Sequence, residues 1–85
     1  MKPVLLSADS EIFAYMVPNE VADHLIDYCE NFLDWNSKPC YTEKDFIDYL
    51  NTKVFSDTKS WLIETAGSHR KDILKKYKTC ARYNF

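Results

Sequence analysis

Val4-Leu5-Leu6-Ser7-Ala8-Asp9-Ser10-Glu11-Ile12-Phe13-Ala14-Tyr15-Met16-Val17 is the stretch on which the fold turns. Val4 to Ala8 is short and apolar, Glu11 to Val17 is a second apolar run, and Asp9-Ser10 between them is turn chemistry; together they predict a β-hairpin. Without glycine at the turn a primed two-residue loop is strained, which leaves register and loop length open. In the second strand Ile12, Ala14 and Met16 share one face and Phe13, Tyr15 and Val17 share the other. Both faces carry bulk. Such a strand is expected to be covered by helices on one side and by something else, a partner included, on the other.

Downstream of the hairpin, Pro18-Asn19 stops the strand and offers Asn19 as an N-cap. Val21, Leu25, Cys29 and Phe32 recur at helical spacing, widened by Ala22, Ile26 and Leu33, and predict one helix reaching to about Asn36. Ser37-Lys38-Pro39 cannot continue it comfortably. Thr42, followed by Glu43 and Asp45, opens a second helix whose stripe is Phe46, Ile47, Leu50 and Val54 and which finishes around Phe55. After the polar loop Ser56-Asp57-Thr58-Lys59, Ser60 to Thr65 reads as a third strand with Trp61 and Ile63 on one face. Gly67-Ser68 is a turn with Ser68 as cap, followed by a short helix directing Ile73, Leu74 and Tyr77 inward. The order β-β-α-α-β-α predicts an α+β fold: a small antiparallel sheet of about three strands with two or three helices packed on it.

With 85 residues the chain makes a single small globular domain spanning 1–85. Its 46% hydrophobic and 28% charged residues are those of a folded protein rather than a disordered one. The lone glycine, Gly67, argues against a barrel or sandwich and excludes a Gly-rich phosphate loop. Six Tyr, five Phe and two Trp are an aromatic excess that the core absorbs in part and that also supplies interface anchors. Cys29, Cys40 and Cys80 are odd in number and form no Cys-x-x-Cys pair, which fits a cytoplasmic protein with reduced thiols; secretion with one disulfide and a spare thiol is the alternative. No apolar run approaches the roughly 20 residues of a membrane span, and no membrane association is expected.

Charge is sorted along the chain. Residues 1 to 58 hold four Lys against eleven Asp and Glu, a balance of −7, whereas residues 59 to 85 hold seven Lys and Arg against Glu64 and Asp72, a balance of +5. On the first predicted helix Glu20, Asp23, Asp27, Glu30 and Asp34 step by three and four and line one ridge opposite the apolar stripe. Like charges at these spacings repel by a few tenths of a kcal/mol each, roughly, and no Lys or Arg is interleaved. A solvated outer face accounts for the ridge in the bland reading, whereas an interaction face for something positive accounts also for its uniform sign. If the last helix persists, Lys71, Lys75, Lys78 and Arg82 form a second, basic ridge, flanked by Arg70 and Lys76 with Tyr77 and Tyr83 nearby. Nucleic-acid binding through it is disfavoured, because the acidic remainder repels phosphates.

Nothing reads as an active site. Glu20, His24 and Asp27 share a helix face, but one face rarely closes a metal site. Cys40 is a loop thiol without a supporting Cys-His signature, and Ser68-His69 is adjacency with no Gly-x-Ser-x-Gly. No catalytic residue, cofactor or metal is expected.

Several segments resemble those of a family of short, uncharacterised bacterial proteins. They are Leu6-Ser7-Ala8-Asp9-Ser10-Glu11, Val17-Pro18-Asn19-Glu20-Val21-Ala22-Asp23, Cys40-Tyr41-Thr42-Glu43-Lys44-Asp45-Phe46-Ile47-Asp48-Tyr49-Leu50-Asn51 and Tyr83-Asn84-Phe85. The resemblance spans most of the chain and departs between Trp35 and Cys40, where relatives carry a longer insert. It implies a compact bacterial cytosolic protein and transfers no activity, because none is assigned to the family. The expectation is a non-enzymatic protein-binding domain that uses the acidic helix face and exposed aromatics. Two alternatives stand beside it. One is self-association, a homodimer included, of the acidic helix against the basic tail. The other is an acidic mimic of nucleic acid that blocks a nucleic-acid-binding partner.

Overall fold

In the computed structural model, which describes residues 1–85, the predicted hairpin is β1 (Lys2–Ala8) and β2 (Glu11–Val17), paired antiparallel from Lys2↔Val17 to Ala8↔Glu11. That register leaves Asp9 and Ser10 as a two-residue loop, and both take positive φ, 52° and 69°. This is the backbone of a primed turn, whose twist matches the strands. Asp tolerates the left-handed region better than Ser does, so the strain concentrates at Ser10.

The sheet has four strands, not three, and is mixed rather than antiparallel: its order is β3-β2-β1-β4, with β3 at Trp61–Thr65 and β4 at Arg82–Asn84. β4 runs parallel to β1, pairing Leu5↔Arg82, Leu6↔Tyr83 and Ser7↔Asn84. β1 is buried from Val4 to Ala8, so its outer N–H and C=O groups need partners. Leu5 N donates to Ala81 O at 2.9 Å and Phe85 N donates to Ser7 O at 2.8 Å. The final helix therefore ends early. It is α4 (Arg70–Lys76), with Lys78 in the following turn and Arg82 in β4, so the predicted continuous basic ridge does not exist.

Helices cover both faces of the sheet. On one, Val4, Leu6, Phe13, Tyr15 and Val17 pack against α1 (Asn19–Asp23), α2 (Leu25–Trp35) and α3 (Glu43–Tyr49). On the other, Leu5, Ile12 and Ala14 pack against Ala66 and against Ile73 and Tyr77 of the α4 segment. The second face, for which a partner was one expectation, is thus covered by the chain itself. The single first helix of the sequence reading is broken at His24, whose φ of −131° and ψ of 43° interrupt the backbone between α1 and α2. Asn19 begins α1 rather than capping it, and His69 instead of Ser68 precedes α4. Thr42 does cap α3: its hydroxyl accepts from Lys44 N at 3.3 Å, and Asp45 Oδ2 accepts from Thr42 N at 2.9 Å.

Beyond α3 the chain widens into one π-helical turn, Leu50–Val54, in which Asn51 meets Ser60 just before the next strand. Asn51 Oδ1 accepts from Ser60 N at 2.7 Å and its Nδ2 donates to Ser60 O at 3.1 Å. β3 then pairs Met16↔Trp61 and Tyr15↔Leu62, but Ala14↔Glu64, so Ile63 is bulged out. The bulge explains why the simple alternation of Trp61 and Ile63 fails. It also leaves Glu64 facing α4, where its carboxylate accepts from Lys76 Nζ at 2.8 Å and from the Tyr77 hydroxyl.

Two expectations follow. Ser10→Gly relieves the left-handed strain at no packing cost; a gain of about 1 kcal/mol corresponds to a rise of roughly 4–8 °C in thermal midpoint for a domain of this size. The hydrogen bonds from Lys76 and then Tyr77 hold Glu64 below its ordinary value of 4.5. A depressed carboxylate contributes stability that is present above 4.5 and lost as pH falls through the lower folded value. Unfolding of wild type and Glu64→Gln between pH 7 and 2 should therefore show a shallower acid loss in the variant.

Candidate functional site

The break at His24 divides the acidic ridge into Glu20 and Asp23 on α1 and Asp27, Glu30 and Asp34 on α2, and its five members differ in what they face. Asp23 accepts from Lys2 Nζ at 2.6 Å, and that hydrogen bond lowers its pKa. Glu20, on α1, lies 3.4 Å from the Tyr28 hydroxyl, which donates to it. Asp27, Glu30 and Asp34, all on α2, are exposed and meet no cation. The three ion pairs of the molecule are Lys2–Asp23, His69–Asp72 and Lys76–Glu64, and none includes them.

At the C-terminal end of α2 the ridge runs into an aromatic cleft that the sequence reading did not find. Phe32 is fully buried and makes an aromatic cluster with Phe46, Tyr49, Tyr41 and Phe85, at centroid distances of 5.7, 5.6, 5.9 and 5.9 Å. Trp35, three residues on and so on the same side of the helix, packs its ring 5.1 Å from that of Tyr49 but stays 54% exposed. The chain leaves the helix directly after it: Asn36 is extended, and its amide donates to Lys38 O at 3.1 Å. Phe32, Trp35, Lys38, Asp45, Asp48 and Tyr49 line a cavity of about 180 Å³ between α2 and α3. Asp45 spends one oxygen on the α3 cap, whereas no side chain bonds the Asp48 carboxylate. The surrounding field is negative. Burial pushes the Tyr15 phenol up to about 12, and the charges of Glu43 and Asp48 push in the same direction.

The basic candidates are not assembled into one surface. Lys71 and Lys75 stand exposed on α4, which lies across the sheet from α2. Lys78 is in the turn after α4. Arg82 alone comes near the acidic ridge, sharing a shallow cleft of about 470 Å³ with Asp23, His24 and Asp27 but forming no ion pair with them. A second exposed apolar group is the edge strand β3, where Trp61 is 52% exposed and Leu62 and Ile63 follow it.

The titratable groups weighed for chemistry are dispersed. His24 occupies the break between α1 and α2, so the helical spacing Glu20-His24-Asp27 is interrupted, and no group of three or more His, Cys, Asp or Glu stands at metal-holding spacing. Cys29 lies in the core, where burial pushes its thiol up to about 12; Cys80 is partly buried and Cys40 is exposed. No helix is long and apolar enough to cross a membrane. No protein-family model matches the chain, and no curated protein or solved structure does either.

Thiol reactivity should follow this burial. Under native conditions at pH 8, iodoacetamide should modify Cys40 first and Cys80 more slowly, and Cys29 only once the protein is unfolded; peptide mass mapping over time measures the order.

Proposed function

We propose that the chain is a non-enzymatic binding domain that docks a basic surface of a partner protein on the outer face of α2. The observation that carries this reading is the set Asp27, Glu30 and Asp34: exposed, uniform in sign, at three- and four-residue spacing, and free of any cationic neighbour within ion-pair distance. Adjacent like charges on a helix are destabilising by a few tenths of a kcal/mol, roughly, and an interleaved Lys would relieve them at no cost in solubility. The helix itself ends at Trp35, a residue type enriched at the centres of interfaces, whose ring is already held by Tyr49 and loses little freedom on binding. An acidic surface of this kind steers a positively charged partner and gives association that weakens with salt.

Self-association through the same charges is the second reading. Because α2 and the lysines of α4 lie on opposite faces, contacts between them would be head-to-tail, closing into a ring where the rotation allows and growing into a filament where it does not.

A lysine decapeptide is a sufficient probe. We expect it to bind wild type at low ionic strength, with affinity falling steeply between about 20 and 200 mM salt. The variant Asp27→Asn/Glu30→Gln/Asp34→Asn, whose sites are all exposed, should keep the wild-type circular dichroism and thermal midpoint and lose most of that binding. Affinity indifferent to both salt and the substitutions would sink the reading. Sedimentation of the protein alone at both salt concentrations reports self-association.

A further inference from the structure

The cavity between α2 and α3 differs from the rest of the acidic face in being aromatic and concave, and its chemistry is specific. Its lining holds the rings of Trp35 and Tyr49, 5.1 Å apart and inclined at 43°, with the buried ring of Phe32 6.4 and 5.6 Å from them. The same lining includes Asp48, whose carboxylate has no side-chain partner, and Asp45, whose cap bond leaves one oxygen free. Lys38 also lines the opening, so two carboxylates and one ammonium leave the lining net negative. Aromatic faces and a carboxylate at one opening are the two features that hold an organic cation.

Size narrows the guest. A volume of about 180 Å³ lies below the roughly 300–1,000 Å³ of small-molecule sites. It suits one side-chain head group entering from outside rather than an enclosed metabolite. Between the two basic side chains, arginine fits better. Its planar guanidinium stacks on Trp and Tyr rings and forks onto a carboxylate, whereas a lysine ammonium is a strongly hydrated point charge. We propose that this cavity, lined by Trp35, Tyr49 and Asp48, is the seat of one arginine side chain of a basic partner protein. The assignment names the anchor at the end of the α2 surface and rests on the reading of that surface as a docking face. Trp35 supplies the stacking plane, Asp48 the fork partner, and Lys38 tunes the site by repulsion.

The test uses the folded, ¹⁵N-labelled protein and three blocked amino acids: N-acetyl-arginine methylamide and its lysine and leucine counterparts. The Trp35 indole N–H signal reports the cavity, and that of Trp61, on the far edge strand, serves as internal control. The arginine derivative should shift Trp35 saturably with a dissociation constant on the order of millimolar, leaving Trp61 in place, and the leucine derivative should shift neither. Asp48→Asn should weaken the arginine derivative about tenfold, the size of a charge-assisted hydrogen bond. For Trp35→Ala, followed by calorimetry, the expected loss is about fivefold. Lys38→Ala should tighten binding about twofold. Unchanged amide dispersion in each variant shows that the fold is retained. An arginine response no larger than that of leucine, or one that survives in Asp48→Asn, overturns the assignment. The two readings fail separately: the α2 triple variant should lose the lysine decapeptide while holding the blocked arginine within about twofold of wild type. A failed decapeptide with a successful arginine titration would leave the cavity assigned and the wider face not.

Discussion

A hairpin that is apolar on both faces cannot stop at two strands and one helical layer. Leu5, Ile12 and Ala14 are as dry as Val4, Leu6 and Tyr15, although alternate side chains of a strand point in opposite directions. Water must therefore be excluded from two sides, and one short chain has to supply both covers. The α1–α3 segment covers one face; the shorter α4, with Tyr77 and Ala66, covers the other. Edge groups follow the same rule. Buried β1 requires a backbone partner on its outer side, which β4 provides, while β3 remains exposed and is interrupted by the bulge at Ile63.

Phe32 connects this core to the surface. Its ring stands against Phe46 and Tyr49 of the α3 segment, Tyr41 of the preceding loop and Phe85 after β4, and so ties the helical layer to the β4 edge of the sheet. Trp35 and Tyr49 inherit their positions from that cluster. An exposed aromatic pair set by buried neighbours is pre-organised, and pre-organisation lowers the entropic cost of binding. Nothing comparable orders the carboxylates of α2, which in the proposed docking would act through their field rather than their geometry. The proposed docking face thus combines a diffuse electrostatic part with one rigid, shaped part.

How far the residues announced this arrangement depends on how local each determinant is. The hairpin, the Thr42 cap with Asp45 three residues on, and the carboxylate spacing are local, and each was readable. Breaking the helix at His24 does not disturb the three- and four-residue steps, so the spacing could not reveal it. β4 is three residues long and owes its conformation to β1, far away in sequence; Arg82 and Lys78 extend the helical spacing of Lys71 and Lys75 and read equally well as a ridge. The cavity was illegible for a related reason. Trp35 stands on α2 and the adjacent Asp48 and Tyr49 on the last turn of α3, all with unremarkable neighbours, and only the packing of α2 on α3 makes them a site.

The parallel pairing of β1 with β4 also bears on how the chain reaches its native state. Ser7 and Asn84, bonded side chain to side chain at 2.8 Å, are 77 positions apart. The hairpin can form from contacts within one turn of chain, but this pairing demands closure of almost the entire polypeptide, whose entropy must be spent before any bond of β4 is gained. β4 is therefore the strand whose pairing carries the largest closure cost. Its departure would uncover Leu5 and Leu6 together, opening both dry layers in one step. The shortest strand of the sheet thus closes the longest loop of the fold.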